Sequence, residues 1–87
     1  MKNGRPRNVP AGETRHWVLS FIGVFTTNQG YPPTVRELCR GMGTVSTGSM
    51  HYHLSRLRSE KLINWNPGEA RTIRLTDEGR ALLSDAR

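Results

Sequence analysis

One stretch near the middle of the chain, Gly30-Tyr31-Pro32-Pro33-Thr34-Val35-Arg36-Glu37, decides where helix can and cannot run. Each proline disfavours helical geometry in the residue before it, so Tyr31-Pro32-Pro33 must be an extended link. Gly30 supplies the stop in front of it. Thr34 supplies the restart: its side chain can cap a new helix while Glu37, three residues on, reaches back to the Thr34 amide. Two helices are therefore held close together by a short, stiff connection.

The flanking segments have helical periodicity. From about Glu13 to Asn28, the apolar residues Trp17, Val18, Phe21, Ile22 and Phe25 form one broad face. The second helix runs from about Val35 to Met42, with Val35, Leu38, Cys39 and Met42 facing inward, and Gly41 and Gly43 end it. Ser46 is the next N-cap. A third helix, about Thr47 to Glu60, has a buried stripe of Met50, Leu54 and Leu57. At 100° per residue its opposite face carries Gly48, Tyr52, Ser55 and Ser59, flanked by Ser49, His51 and Arg56. That face holds hydroxyls, aromatic groups and a cation, with no carboxylate before Glu60.

Beyond Lys61 the period changes. Leu62-Ile63-Asn64-Trp65 reads as a strand, Asn66 to Ala70 as a turn and Arg71 to Leu75 as the return strand. Trp65 is expected to pack beneath this hairpin. Thr76 can cap a last helix, Asp77 to about Asp85, with Asp77 and Glu78 in its first turn and Leu82 and Leu83 as anchors. The fold class is mainly α with a small β-hairpin. The architecture is a winged helix-turn-helix: a three-helix core, a wing and a short C-terminal helix. Residues 1–12 form a flexible basic arm and residues 13–87 the folded domain.

A chain of 87 residues fits one domain with one modest core and no room for a large enclosed active site. Its 13 Lys plus Arg outnumber 7 Asp plus Glu, for a net charge of +6 and a pI near 10.8. Such a balance favours a polyanionic partner, because each cation near a phosphate releases a condensed counterion. The excess is local. Residues 1–12 carry +3, residues 46–63 carry +2, and residues 64–87 are neutral. In the arm, Gly4-Arg5-Pro6 forms an AT-hook-like core flanked by Arg7, suited to a narrow minor groove, to looser phosphate contact or to plain disorder.

The stretch Gly30 to Leu38, the Gly43 turn, Ser46, the run His53-Leu54-Ser55-Arg56-Leu57 and the closing Ile73-Arg74-Leu75 together resemble the N-terminal DNA-binding domain of LexA-type repressors. The shared elements are G-x-P-P-T, E-L in the second helix, H-L-x-x-L in the third and the I-R-L strand, over roughly residues 13–76. The resemblance implies that the start of the third helix reads bases through Ser46, Gly48, Ser49, His51 and Tyr52. His51 and Tyr52 stand where the family commonly has an acidic pair, so its operator does not carry over. The self-cleaving domain that follows in full-length repressors does not occur before Arg87, so self-proteolysis is not assigned. The tail Leu75 to Leu83 is similar to the ends of MarR-like and PadR-like regulators.

The expected partner is double-stranded DNA, contacted by Ser46, Thr47, Gly48, Ser49, His51, Tyr52, Ser55 and Arg56 of the third helix. Arg71 of the wing, with Arg5 and Arg7 of the arm, completes the expected set, and Arg58 and Arg74 are further phosphate candidates. His53 is nearer the apolar edge and is expected to be structural. A second copy is a candidate partner, through Leu82 and Leu83, which would make the site a pseudo-palindrome. No cofactor, metal or small-molecule ligand is expected: His51 and His53 point about 200° apart, and the chain has one cysteine. No catalytic signature is present, so the chain is not expected to be an enzyme. The lone Cys39 and the lack of a signal or membrane span suit a cytoplasmic, nucleoid-associated protein. The functional expectation is a sequence-specific transcriptional regulator, with a repressor favoured. A winged-helix module binding transcription or replication proteins and an architectural or recombination accessory protein share the fold and stay open on sequence alone.

Overall fold

A computed structural model describes residues 11–43 and 46–85. Its order is α1 (Ala11–Gln29), α2 (Val35–Met42), α3 (Thr47–Ser59), β1 (Ile63–Asn64), β2 (Arg74–Leu75) and α4 (Asp77–Asp85). Arg5 and Arg7 lie outside the described residues. Helix α1 begins at Ala11, two residues inside the segment expected to be arm. Among the described residues, no helix is long and apolar enough to cross a membrane.

Helix α1 ends where the glycine and the prolines require. Gly30 takes φ +84° and its N–H donates to the Thr26 carbonyl at 2.9 Å. The extended link buries Pro32 and Pro33. The capping box of α2 is complete: the Glu37 amide donates to Thr34 Oγ1 at 3.0 Å, and the Thr34 amide donates to Glu37 Oε1 at 2.9 Å. Gly43 closes α2 at φ +92°, its N–H on the Cys39 carbonyl. Gly41 has a different job from the terminating one expected of it. It lies inside α2, where a Cβ would overlap the ring of Phe21 on α1.

The core is assembled from the first three helices and the hairpin: Val18, Leu19 and Ile22 of α1, Leu38 and Met42 of α2, and Met50, Leu54 and Leu57 of α3 meet Ile63 of β1 and Trp65 and Ile73 of the hairpin loop. Leu19 is fully buried although the sequence pattern left it out; the buried arc of α1 is centred on Val18, Leu19 and Ile22, and Phe25 lies at its margin. Phe25 instead meets Phe21 at 6.1 Å and the edge of Tyr31 at 5.9 Å. Cutting a core leucine such as Leu54 to alanine is expected to cost about 2–5 kcal/mol, a large share of the stability of a small domain.

The hairpin is shorter than expected. Only Ile63 pairs with Leu75 and Asn64 with Arg74, antiparallel. Trp65 and Arg71 to Ile73, expected in strands, belong to the loop. The loop is held by side chains instead of a ladder. The Asn66 amide donates to Thr72 Oγ1 at 3.0 Å, and that hydroxyl donates back to the Asn66 and Glu69 carbonyls. Arg71 adopts φ +62°, which breaks the extended strand. Trp65 is buried beneath this wing, as expected.

Helix α4 is seated on the turn that leaves α3. Thr76 caps it through the Gly79 amide at 3.0 Å and also donates through Oγ1 to the Lys61 carbonyl at 2.7 Å. Leu82 and Leu83 are half-buried and pack against the core. Much of the apolar surface expected to meet a second copy is thus used within the chain.

Candidate nucleic-acid interface

Helix α3 is presented by its cap and its stripe. The Ser49 amide donates to Ser46 Oγ at 3.2 Å, which fixes the first turn. Met50, Leu54 and Leu57 are fully buried and set the rotation of the helix. That rotation leaves Ser46, Thr47, Gly48, Ser49, His51, Tyr52, Ser55 and Arg56 all exposed, as the sequence predicted. The first turn carries no acidic residue, so the positive end of the helix dipole faces outward unneutralised. A Cβ at Gly48 would meet nothing within 4 Å. Among the described residues, nothing requires glycine there.

Tyr52 is a large exposed aromatic, with 58% of its surface open. It is not loose. Arg56 Nη1 donates to its hydroxyl at 2.9 Å, and the guanidinium carbon is 5.8 Å from its ring centroid. Arg56 is itself 3.8 Å from Glu60, and Glu60 is ion-paired with Arg15 of α1. A chain of charge thus runs from α1 to the exposed face of α3. His53, the next ring along, is half-buried and 5.6 Å from Tyr52. Burial pushes its pKa down, with a further push from Arg56.

The wing stands beside α3. The His51 ring meets the Trp65 ring edge-on at 5.3 Å. Arg58 Nη1 donates to the Trp65 carbonyl at 3.4 Å, bracing the wing base. Between the first turn of α2, His51 and the wing tip is a concavity of about 280 Å³, lined in part by Thr34, Arg36, Gly68, Glu69 and Ala70. Arg36 is exposed there. Sequence reasoning missed it, although Arg36 and Arg40 lie one turn apart on the outer face of α2, opposite Leu38.

The two wing arginines expected at phosphates, Arg71 and Arg74, are both exposed and also meet other parts of the chain. Arg74 is exposed on β2 but lines a groove of about 830 Å³ between α1 and α4, with His16, Arg80 and Leu83 among its walls. Arg71 is turned onto α2. It pairs through both oxygens with Glu37, at 3.0 and 3.2 Å, and its guanidinium lies 4.5 Å from the Tyr31 ring centroid. The Arg71 guanidinium, and secondarily the Thr34 amide, hold the Glu37 carboxyl below its ordinary range.

Comparison with known proteins bears on this arrangement. Residues 12–72 match the family model described as LexA DNA binding domain. The chain is 41% identical over 71 residues to the LexA repressor of Ligilactobacillus salivarius, covering 82% of this chain and 34% of that protein. It is 39% identical over 61 residues to the LexA repressor of Carboxydothermus hydrogenoformans, covering 70% of this chain and 30% of that one. With the LexA repressor of Clostridium botulinum it shares 43% identity over 60 residues, covering 69% and 30%. The chain spans about a third of the length of these curated relatives.

Proposed function

The chain belongs to the LexA DNA-binding domain family, and on that premise we propose that it is a sequence-specific double-stranded-DNA-binding transcriptional repressor, acting in the nucleoid by occupying its site. The observation that carries this reading is the outer face of α3: small polar residues and an open Gly48 at its start, then Tyr52 and Arg56 braced one turn later. The major groove admits one helix. Gly48 and Ser49 let the backbone approach base edges, and the α3 N-terminus faces a phosphate. The Tyr52 hydroxyl and the Ser46, Thr47, Ser49 and Ser55 side chains offer hydrogen bonds, and His51 lies where helix and wing meet. Arg56 supplies charge, with Arg5 and Arg7 of the arm adding to it.

Selection of bound sequences from a random duplex pool, followed by titration at several salt concentrations, tests the reading. A defined consensus is expected, with an affinity that falls as salt rises. Half-site spacing in that consensus reports whether two copies bind side by side. Salt-dependent binding with no consensus would assign an architectural role instead. No binding under low salt would sink the DNA-binding reading altogether.

A further inference from the structure

Arg71 is the wing cation that sequence position offers to a phosphate, yet its side chain is spent on the protein itself. Nη1 donates to the Pro32 carbonyl at 2.8 Å and to Glu37 Oε1 at 3.0 Å, and Nη2 donates to Glu37 Oε2 at 3.2 Å. The face of Tyr31 covers the guanidinium. The backbone at φ +62° is a conformation that side-chain-bearing residues avoid, and here it turns Arg71 from the wing toward α2. Glu37 Oε1 also accepts the Thr34 amide, so one carboxylate closes the α2 cap and grips the wing. The hairpin has only two paired positions. Its tip therefore depends on ties of this kind for its angle to α3.

We propose that Arg71 is a positioning residue of the DNA interface, a strut between Glu37 and the wing, and that, in the concavity both arginines line, the phosphate contact belongs to Arg36. This rests on the DNA-binding reading above and deepens it. Arg36 is exposed at the first turn of α2, in the concavity shared by His51 and the wing tip, and has no ion pair among the described residues. A bidentate fork gripping both carboxylate oxygens needs an arginine; a point charge on a phosphate does not. The two roles therefore predict different behaviour for Arg71→Lys.

The test is salt-dependent titration of the selected duplex with the wild type and with Arg71→Ala, Arg71→Lys, Glu37→Gln and Arg36→Ala. Glutamine at the third helical position keeps the capping box, so Glu37→Gln is the variant that folds with its α2 start intact. A strut predicts that Arg71→Ala, Arg71→Lys and Glu37→Gln all weaken binding by roughly tenfold with the salt slope unchanged, and that Arg71→Ala with Glu37→Gln is no worse than either alone. Arg36→Ala should reduce the slope by about 0.9, the loss of one phosphate contact. The proposal is overturned if Arg71→Ala lowers the slope by that amount while Arg71→Lys and Glu37→Gln bind as the wild type does. A wild type that binds no duplex would overturn the functional reading as well; a binding wild type with those variant slopes overturns the strut alone.

Discussion

The Arg56 guanidinium reaches back one turn of α3 and donates to the Tyr52 hydroxyl at 2.9 Å, so the largest exposed side chain on that face is held by the cation beside it. Preorganisation of this kind lowers the side-chain entropy lost on binding. Tyr52→Ala should therefore weaken DNA binding by about tenfold or more, and Arg56→Ala by a comparable factor. Arg56→Ala should also reduce the salt slope, whereas Tyr52→Ala should not. Because the pair is exposed, neither change should alter folding stability by more than about 0.5 kcal/mol. Binding isotherms at three salt concentrations, with urea unfolding of the same variants, check both halves. Undiminished affinity in the folded double variant would place the interface elsewhere.

Gly48 and Gly79 should respond to alanine in opposite ways. Around Gly48 there is open space, so Gly48→Ala should stabilise the helix by about 0.5 kcal/mol while placing a methyl group against the DNA. At Gly79 a Cβ would land on the Leu62 carbonyl oxygen, because α4 sits directly on the turn after α3. Gly79→Ala should cost about 1–3 kcal/mol despite the better helix propensity. Thermal unfolding separates the two. A gain at Gly48 with full DNA affinity would show that the helix start stays clear of the groove.

Much of this fold is legible in the sequence because its signals are local. The Gly30 stop, the two prolines and the Thr34–Glu37 box lie within eight residues, and α2 starts where they predict. Ser46 and the Met50-Leu54-Leu57 stripe likewise fix the exposed face of α3. What sequence could not supply are relationships across the chain. Arg71 finds partners 34 and 39 residues away, and no pattern around Arg71 announces Glu37 or the Pro32 carbonyl. The alternation of Arg71 to Leu75 reads as a strand, but left-handed geometry at Arg71 and the Thr72 hydroxyl bonds win over it. Gly41 looks like a helix terminator until Phe21 is seen against it.

Acid should weaken the fold in two stages. The His53 pKa is lowered in the folded state, first by burial and then by Arg56. The unfolded chain therefore takes up this proton more readily. The contribution is full above the ordinary value of 6.5 and is lost as pH falls from there through the folded pKa. Glu37 is also lowered, chiefly by its hydrogen bonds from Arg71, so its contribution is full above 4.5 and is lost as pH falls further. Urea midpoints measured from pH 8 to pH 3 should decline over both windows. Glu37→Gln should flatten the lower window and leave the upper one, and His53→Gln should do the reverse.

The exit from α3 contains a conformational cost that one substitution can remove. Lys61 sits at φ +65°, with its amide on the Arg58 carbonyl and the Leu62 amide on the Leu57 carbonyl. That is the Schellman pattern, in which glycine is the usual residue at the left-handed position. A lysine there carries a Cβ penalty of about 1 kcal/mol. Glycine removes the penalty but loses more backbone entropy on folding, so Lys61→Gly should stabilise the protein by about 0.5 kcal/mol. Lys61→Val, β-branched at the same φ, should destabilise it by about 1–2 kcal/mol. Lys61 is exposed and has no ion pair among the described residues, so loss of its charge should contribute little to either result. Equilibrium unfolding of the two variants decides the point. Equal stability in both would mean that the turn rearranges to relieve the strain, and with it the seat that the Lys61 carbonyl provides for Thr76 at the start of α4.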